Sequence, residues 1–120
     1  MTEARISLGR CGEEAAAQYL TSQGYSIITR NLRTPVGEID IVARKAFSII
    51  FVEVKTRRSL AYGSPLEAVG PRKQRQIIRA AQWYLSDAHY RLLQPRFDVI
   101  AILYTPPTSQ IEHIVNAFGV

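Results

Sequence analysis

The stretch "AFSIIFVEVK" (46–55) constrains this chain more than any other. The run Ile49, Ile50, Phe51 and Val52 has the length and β-branched character of a buried strand. The same strand carries Glu53 and Lys55, two positions apart and therefore on one face. Ionised groups inside an apolar strand are costly unless something compensates them. Chance does not readily supply the pair: three lysines preceded by any of ten acids among 120 positions give about 0.25 acid-x-Lys pairs, before a buried strand is required.

The preceding segment, "GEIDIVAR" (37–44), alternates as a strand, with Ile39, Ile41 and Ala43 on one face and Glu38 and Asp40 on the other. So short a separation predicts an antiparallel hairpin, with a two-residue turn at Lys45-Ala46 that pairs Arg44 with Phe47. This register places Asp40 on the side of Glu53 and Lys55, and a slip by one residue would separate them. Lys45-Ala46 lacks the Gly or Asn that such a turn favours, so the register rests on the chemistry of the charges. Two neighbouring carboxylates repel unless a cation sits between them. A hard cation, Mg2+ or Mn2+, suits that place: Asp40 and Glu53 supply two oxygens, the Val54 carbonyl a third, and water fills the remainder. A water bound there loses its proton more readily, and Lys55 would orient it or neutralise charge at phosphorus.

The rest of the chain reads as a single domain, residues 1–120. A helix is expected from about Ser7 to Gln23 with Gly24 as its stop, and a strand over 25–32. A helix starting at Pro71 runs to about Asp87, burying Ile77, Ile78, Ala81, Tyr84 and Leu85. Strands follow at 96–104 and 111–118. The order αβββαββ predicts an α/β (α+β) fold in which helices flank a central mixed sheet. The segment "TRRSLAYGSPLEAVG" between the third strand and the second helix reads as a long loop.

Charge narrows the function classes. Fifteen basic residues against ten acidic give +5, and twelve of the fifteen are arginine, the planar, bidentate partner of phosphate. The expected partner is nucleic acid, with a chance basic excess on a soluble surface as the equal alternative on charge alone. Arg57 and Arg58 open the loop, while Arg72, Lys73, Arg75 and Arg79 sit on the helix after Pro71, and all six are candidate phosphate contacts. A single cysteine, Cys11, excludes an internal disulfide, and no Cys/His spacing suggests zinc. No apolar run reaches membrane-spanning length, so the expectation is a cytoplasmic protein with no membrane partner.

Asp40 followed by Glu53-Val54-Lys55 resembles the PD-(D/E)XK nuclease signature, with Ile39 in place of the proline. The line "GRCGEEAAAQYLTSQGYSIITRN…GEIDIVA…FVEVKTR…RFDVIAI…IEHIVNAF" is similar to the YraN-like family of small bacterial proteins from Leu8 to Phe118. That resemblance implies a restriction-endonuclease-like (tRNA endonuclease-like) fold related to archaeal Holliday-junction resolvases. It implies a metal-dependent endonuclease acting on duplex or branched DNA, with a homodimer as an allowed state. It also assigns Glu13, on the first helix, to the catalytic set with Asp40, Glu53 and Lys55; Glu14 beside it is the alternative. A non-catalytic nucleic-acid-binding module that keeps the nuclease fold is the competing reading. Asp98 is read as the partner of an arginine such as Arg96, His113 as structural, and Tyr62 as a weak candidate for stacking on a base.

Overall fold

The computed structural model describes residues 3–58, 69–90, 92–105 and 107–119. Helix α1 (Glu3–Ser22) leads into strands β1 (Ser26–Thr34), β2 (Gly37–Lys45) and β3 (Ser48–Arg57). Helix α2 (Pro71–Leu85) and a short 3-10 turn then precede β4 (Gln94–Thr105) and β5 (Thr108–Phe118). The expected order αβββαββ is the observed one. The five strands form one sheet in the order β1-β2-β3-β4-β5. All neighbours are antiparallel except β3 and β4, because the chain returns through α2 to start β4 beside β3. This mixed α+β architecture is compatible with a restriction-endonuclease-like fold. Tyr62 lies outside the described residues.

One helix covers each face of the sheet. Ala16, Ala17 and Leu20 of α1 pack on Ile41, Ala43, Ile50, Val52, Ile100 and Ile102. Ile77, Ala80 and Ala81 of α2 pack on Ile39, Val42, Ile49, Phe51, Phe97 and Val99. Strand β3 contributes to both layers, which explains its unbroken apolar run. The small Ala80 and Ala81 bring α2 close to the sheet, whereas Ile78, Tyr84 and Leu85 lie at the margin of that core and are only partly buried.

Helix α1 ends where expected and shows why. Gly24 takes φ 90°, the Tyr25 N–H donates to Leu20 O at 2.9 Å, and the Gly24 N–H donates to Thr21 O at 3.1 Å. This is a Schellman termination, closed by apolar contact between Leu20 and Tyr25.

The β2–β3 turn falls one residue later than the sequence suggests. Lys45 pairs with Ser48 and Arg44 with Ile49, so the turn is Ala46-Phe47, with Ala46 at φ 52°. The pairing therefore moves by two residues, and a two-residue shift preserves which face each side chain occupies. Asp40 stays on the face of Glu53, and continuing the ladder one step beyond Ile41↔Val52 sets the two opposite each other.

A second correction concerns Ile39. It does not share a layer with Ile41 and Ala43; it packs on the α2 side, while they pack on the α1 side. Strand β1 inverts at the matching place. Arg30, paired with Ile41, reaches Glu14 on α1, whereas Leu32, paired with Ile39, packs on the α2 side. Between them Asn31 adopts φ 52°, a left-handed conformation that Asn tolerates better than most residues. Both strands thus change face together at Asn31 and Asp40.

Asp98, fully buried on β4, ties β5 and α1 to the sheet. Arg96 donates to it through Nε at 2.9 Å and Nη2 at 2.8 Å. The Asn116 N–H donates at 3.0 Å, and His113 Nε2 lies 2.7 Å away. The Tyr19 hydroxyl meets His113 Nδ1 at 3.1 Å, and Arg96 also donates to the Tyr25 hydroxyl at 2.7 Å. Burial alone would raise the Asp98 carboxyl, but the hydrogen bonds from His113, Arg96 and Asn116 outweigh it and hold it below the usual range. Its role is structural, as the sequence suggests. Removing one member of a buried ion pair strands the other in a dry site. Arg96→Met is therefore expected to lower unfolding stability by about 3 kcal/mol, read by urea titration, and Asp98→Asn to cost less because its shape is kept.

Candidate active site

The inversion at Asn31 and Asp40 sets the site's geometry. The β2–β3 ladder stops at Ile41↔Val52, and the next hydrogen bond is made by a side chain: the Val54 N–H donates to Asp40 Oδ2 at 2.8 Å. Asp40 thus takes the place of a ladder carbonyl, and its carboxylate is pinned against β3. Glu53, opposite it on β3, is 5% exposed. Lys55 Nζ, on the same face, lies 3.7 Å from Glu53 Oε1.

Two acids so placed cannot both ionise freely. Burial raises Glu53 to about 7, and the Asp40 charge adds to the rise, against the attraction of Lys73 and Lys55. Asp40 is raised as well, mainly by burial, although the Val54 N–H, Lys73 and Lys55 all oppose the shift. Two ammonium groups therefore fail to neutralise the pair. The influence of Lys73 was not foreseen: the sequence groups it with the arginines of α2, yet its charge acts on both carboxyls. Its place in the first turn of α2, two residues after Pro71, brings it to this end of the sheet.

Glu13 arrives on α1. A Cβ at Gly12 would overlap Thr56 Oγ1, so glycine alone lets the helix backbone lie this close to the end of β3. Burial raises the Glu13 carboxyl and the Asp40 charge raises it further, while a hydrogen bond from Asn31 and the Arg30 charge oppose both. Glu14 points elsewhere, bound to Arg30 at 2.8 Å and to Gln18 at 3.3 Å. Of the two neighbouring acids, Glu13 is the one that Asp40 acts on.

The cationic candidates divide. Arg57, at the end of β3 on the face of Lys55, has the only buried side-chain nitrogen or oxygen among the described residues without a hydrogen-bond partner, its Nε. A donor in that condition is open to water or to a bound anion. Arg58 is exposed. Arg72, Arg75 and Arg79 line a groove of ≈ 600 Å³ with Gln76 and with Val36 from the β1–β2 turn. The turn can sit this close to α2 because Gly37 has no Cβ; one there would stand 2.7 Å from Gln76 Cγ.

The donor set suits a hard cation. Among the described residues no three His, Cys, Asp or Glu side chains gather tightly enough to form a ligand cage. Asp40 and Glu53 are oxygen donors, the ligand type that hard cations such as Mg2+ and Mn2+ take. No described helix is long and apolar enough to cross a membrane.

Fold and site together define a class: a small mixed-sheet α+β protein with an acid pair and a lysine on adjoining central strands. The sequence model of the uncharacterised protein family UPF0102 matches residues 12–102. A UPF0102 protein of Syntrophotalea carbinolica is 58% identical over 120 residues, covering 100% of this chain and 98% of its own length. The UPF0102 protein of Geobacter sulfurreducens is 52% identical over 112 residues, with 92% and 88% covered, and that of Rhodococcus jostii 47% identical over 114 residues, with 94% and 97% covered. The chain belongs to the UPF0102 family, the YraN-like proteins.

The acid pair has a measurable consequence. Glu53 ionises near 7 in the fold against an ordinary value of 4.5, so across that window the folded protein holds protons that the unfolded chain releases. Stability must then fall as pH rises from about 4.5 to about 7, by on the order of 3 kcal/mol. Thermal melts without divalent cation are expected to show that decline, and Glu53→Gln to remove most of it. Adding Mg2+ near pH 8 should restore the melting temperature of the unsubstituted protein and leave Glu53→Gln nearly unchanged.

Proposed function

We propose that this protein is a metal-dependent phosphodiesterase that cleaves DNA internally, an endonuclease. The observation that carries this reading is the Asp40–Glu53 pair: a half-buried and a buried carboxyl, both raised, that two lysines do not neutralise. A site of this kind is completed by a divalent cation, and the residues present fit one.

In this reading Asp40 and Glu53 hold Mg2+ or Mn2+, with the Val54 carbonyl as a further oxygen. The cation, when bound, supplies an acidified water and withdraws charge from the phosphate. Lys55, 3.7 Å from Glu53 Oε1, is placed to orient that water or to meet the charge that develops on the phosphoryl oxygens. Glu13 accepts a hydrogen bond from the attacking water on the α1 side. Arg57 donates its free Nε–H to a phosphate oxygen of the substrate. Among the described residues the groove of Arg72, Arg75 and Arg79 is lined by no aromatic side chain, which suits contact with a sugar-phosphate backbone better than stacking on bases.

Cleavage of a panel of single-stranded, duplex, flap and four-way-junction DNA with Mg2+ or Mn2+ tests the proposal. Lys55→Ala is expected to lower kcat by roughly 10²–10³. Equal rates for Lys55→Ala and the unsubstituted protein would rule out this mechanism. Salt-dependent binding with no cleavage of any substrate would instead favour the non-catalytic binding module.

The arginine groove has its own readout. If Arg75 contacts a phosphate, Arg75→Ala should weaken binding to all DNA sequences alike. It should also reduce the slope of log K against log salt by about one. An unchanged slope would remove Arg75 from the interface.

A further inference from the structure

We propose that Asn31 is a positioning residue: from its left-handed place in β1 it holds the Glu13 carboxylate beside Asp40, joining an acid on α1 to the acid pair of the sheet. The inference rests on the cation-binding reading above and adds a residue that the nuclease signature does not contain.

Three observations support it. Asn31 adopts φ 52° within a strand, and strain of this kind persists only where the surroundings impose it. It lies between the pairs Arg30↔Ile41 and Leu32↔Ile39, so that it faces Asp40 across the two strands at the point where both change face. It also shares with Glu13 and Arg30 the wall of an open groove of ≈ 650 Å³ on the α1 side, where it opposes the rise that burial and the Asp40 charge impose on the Glu13 carboxyl.

The chemistry explains why the residue is Asn. Glycine would satisfy the backbone without strain but offers no side chain. Aspartate also tolerates the left-handed region but would add a third charge beside Glu13 and Asp40. Asn alone combines the conformation with a neutral N–H donor, and Glu13, repelled by Asp40, needs a donor to stay in place. Arg30 does not fill that role, since its guanidinium binds Glu14 at 2.8 Å.

The test uses the whole chain with Asn31→Gly, Glu13→Gln and the double substitution. Glycine adopts the same φ, so a thermal midpoint close to that of the unsubstituted protein shows that the kink survives. The first readout needs no metal: the side-chain amide resonances of Asn31 in 1H–15N spectra. They are expected to shift on Glu13→Gln, and unmoved resonances would overturn the proposal. The second is Mn2+ affinity by calorimetry. Asn31→Gly should weaken it about tenfold, the usual effect of losing a group that orients a metal-site residue. In the Glu13→Gln background the same substitution should have little further effect. Full, additive loss in that background would also overturn the proposal. No Mn2+ uptake by the unsubstituted protein, with the amide shift present, would uphold the Asn31–Glu13 pairing and sink the cation-binding reading.

Discussion

Two carboxyl groups, Asp40 half-buried and Glu53 buried, face each other across adjoining strands of one sheet. Asp40 is tied to the Val54 N–H at 2.8 Å, and Glu53 is 5% exposed on a strand buried on both faces. Burial raises both, and the Asp40 charge adds to the rise at Glu53 and brings it to about 7, so folding leaves the chain holding protons or seeking a cation. The contrast with Asp98 is instructive. That carboxylate is more deeply buried, yet four donor atoms surround it and its carboxyl is lowered, not raised. One acid is satisfied by the protein alone; the pair is not.

The fold creates this imbalance through a local break of regularity. Strands β1 and β2 begin with alternation typical of a half-buried hairpin, then invert together at Asn31 and Asp40. The inversion ends the β2–β3 ladder early and turns a side chain into a backbone substitute. Helix α1 can reach the same end of the sheet because Gly12 lets it lie against Thr56. Helix α2 begins there too, with Lys73 in its first turn and an arginine-lined groove alongside. Two helices from opposite faces thus converge on the point where β1 and β2 change face.

Much of the fold was legible because it depends on patterns the chain repeats. The apolar run of β3, the Gly24 stop and Pro71 at the head of α2 each have one cheap structural solution. Asp98 was legible as well, since Arg96 stands two positions away on the same strand. The face of Asp40 was readable despite a misplaced turn, because an error of two residues preserves parity; Ala46 at φ 52° is what composition did not announce. The inversion was not legible. "GEIDIVA" alternates without fault, and nothing in it says that Ile39 will leave the layer of Ile41. The one available signal was Asn31, a residue poorly suited to strands but tolerant of the left-handed region. The reach of Lys73 to the acids was hidden for a different reason: it depends on where α2 docks, which no local pattern reports.

The most direct examination of the central claim is a crystal structure grown with Mn2+ near pH 8, with the ion located by its anomalous scattering. The account requires a single strong peak between the Asp40 and Glu53 side chains, within about 2.2 Å of an oxygen from each. Mn2+ bound elsewhere, with no density between the two carboxyls, would contradict it.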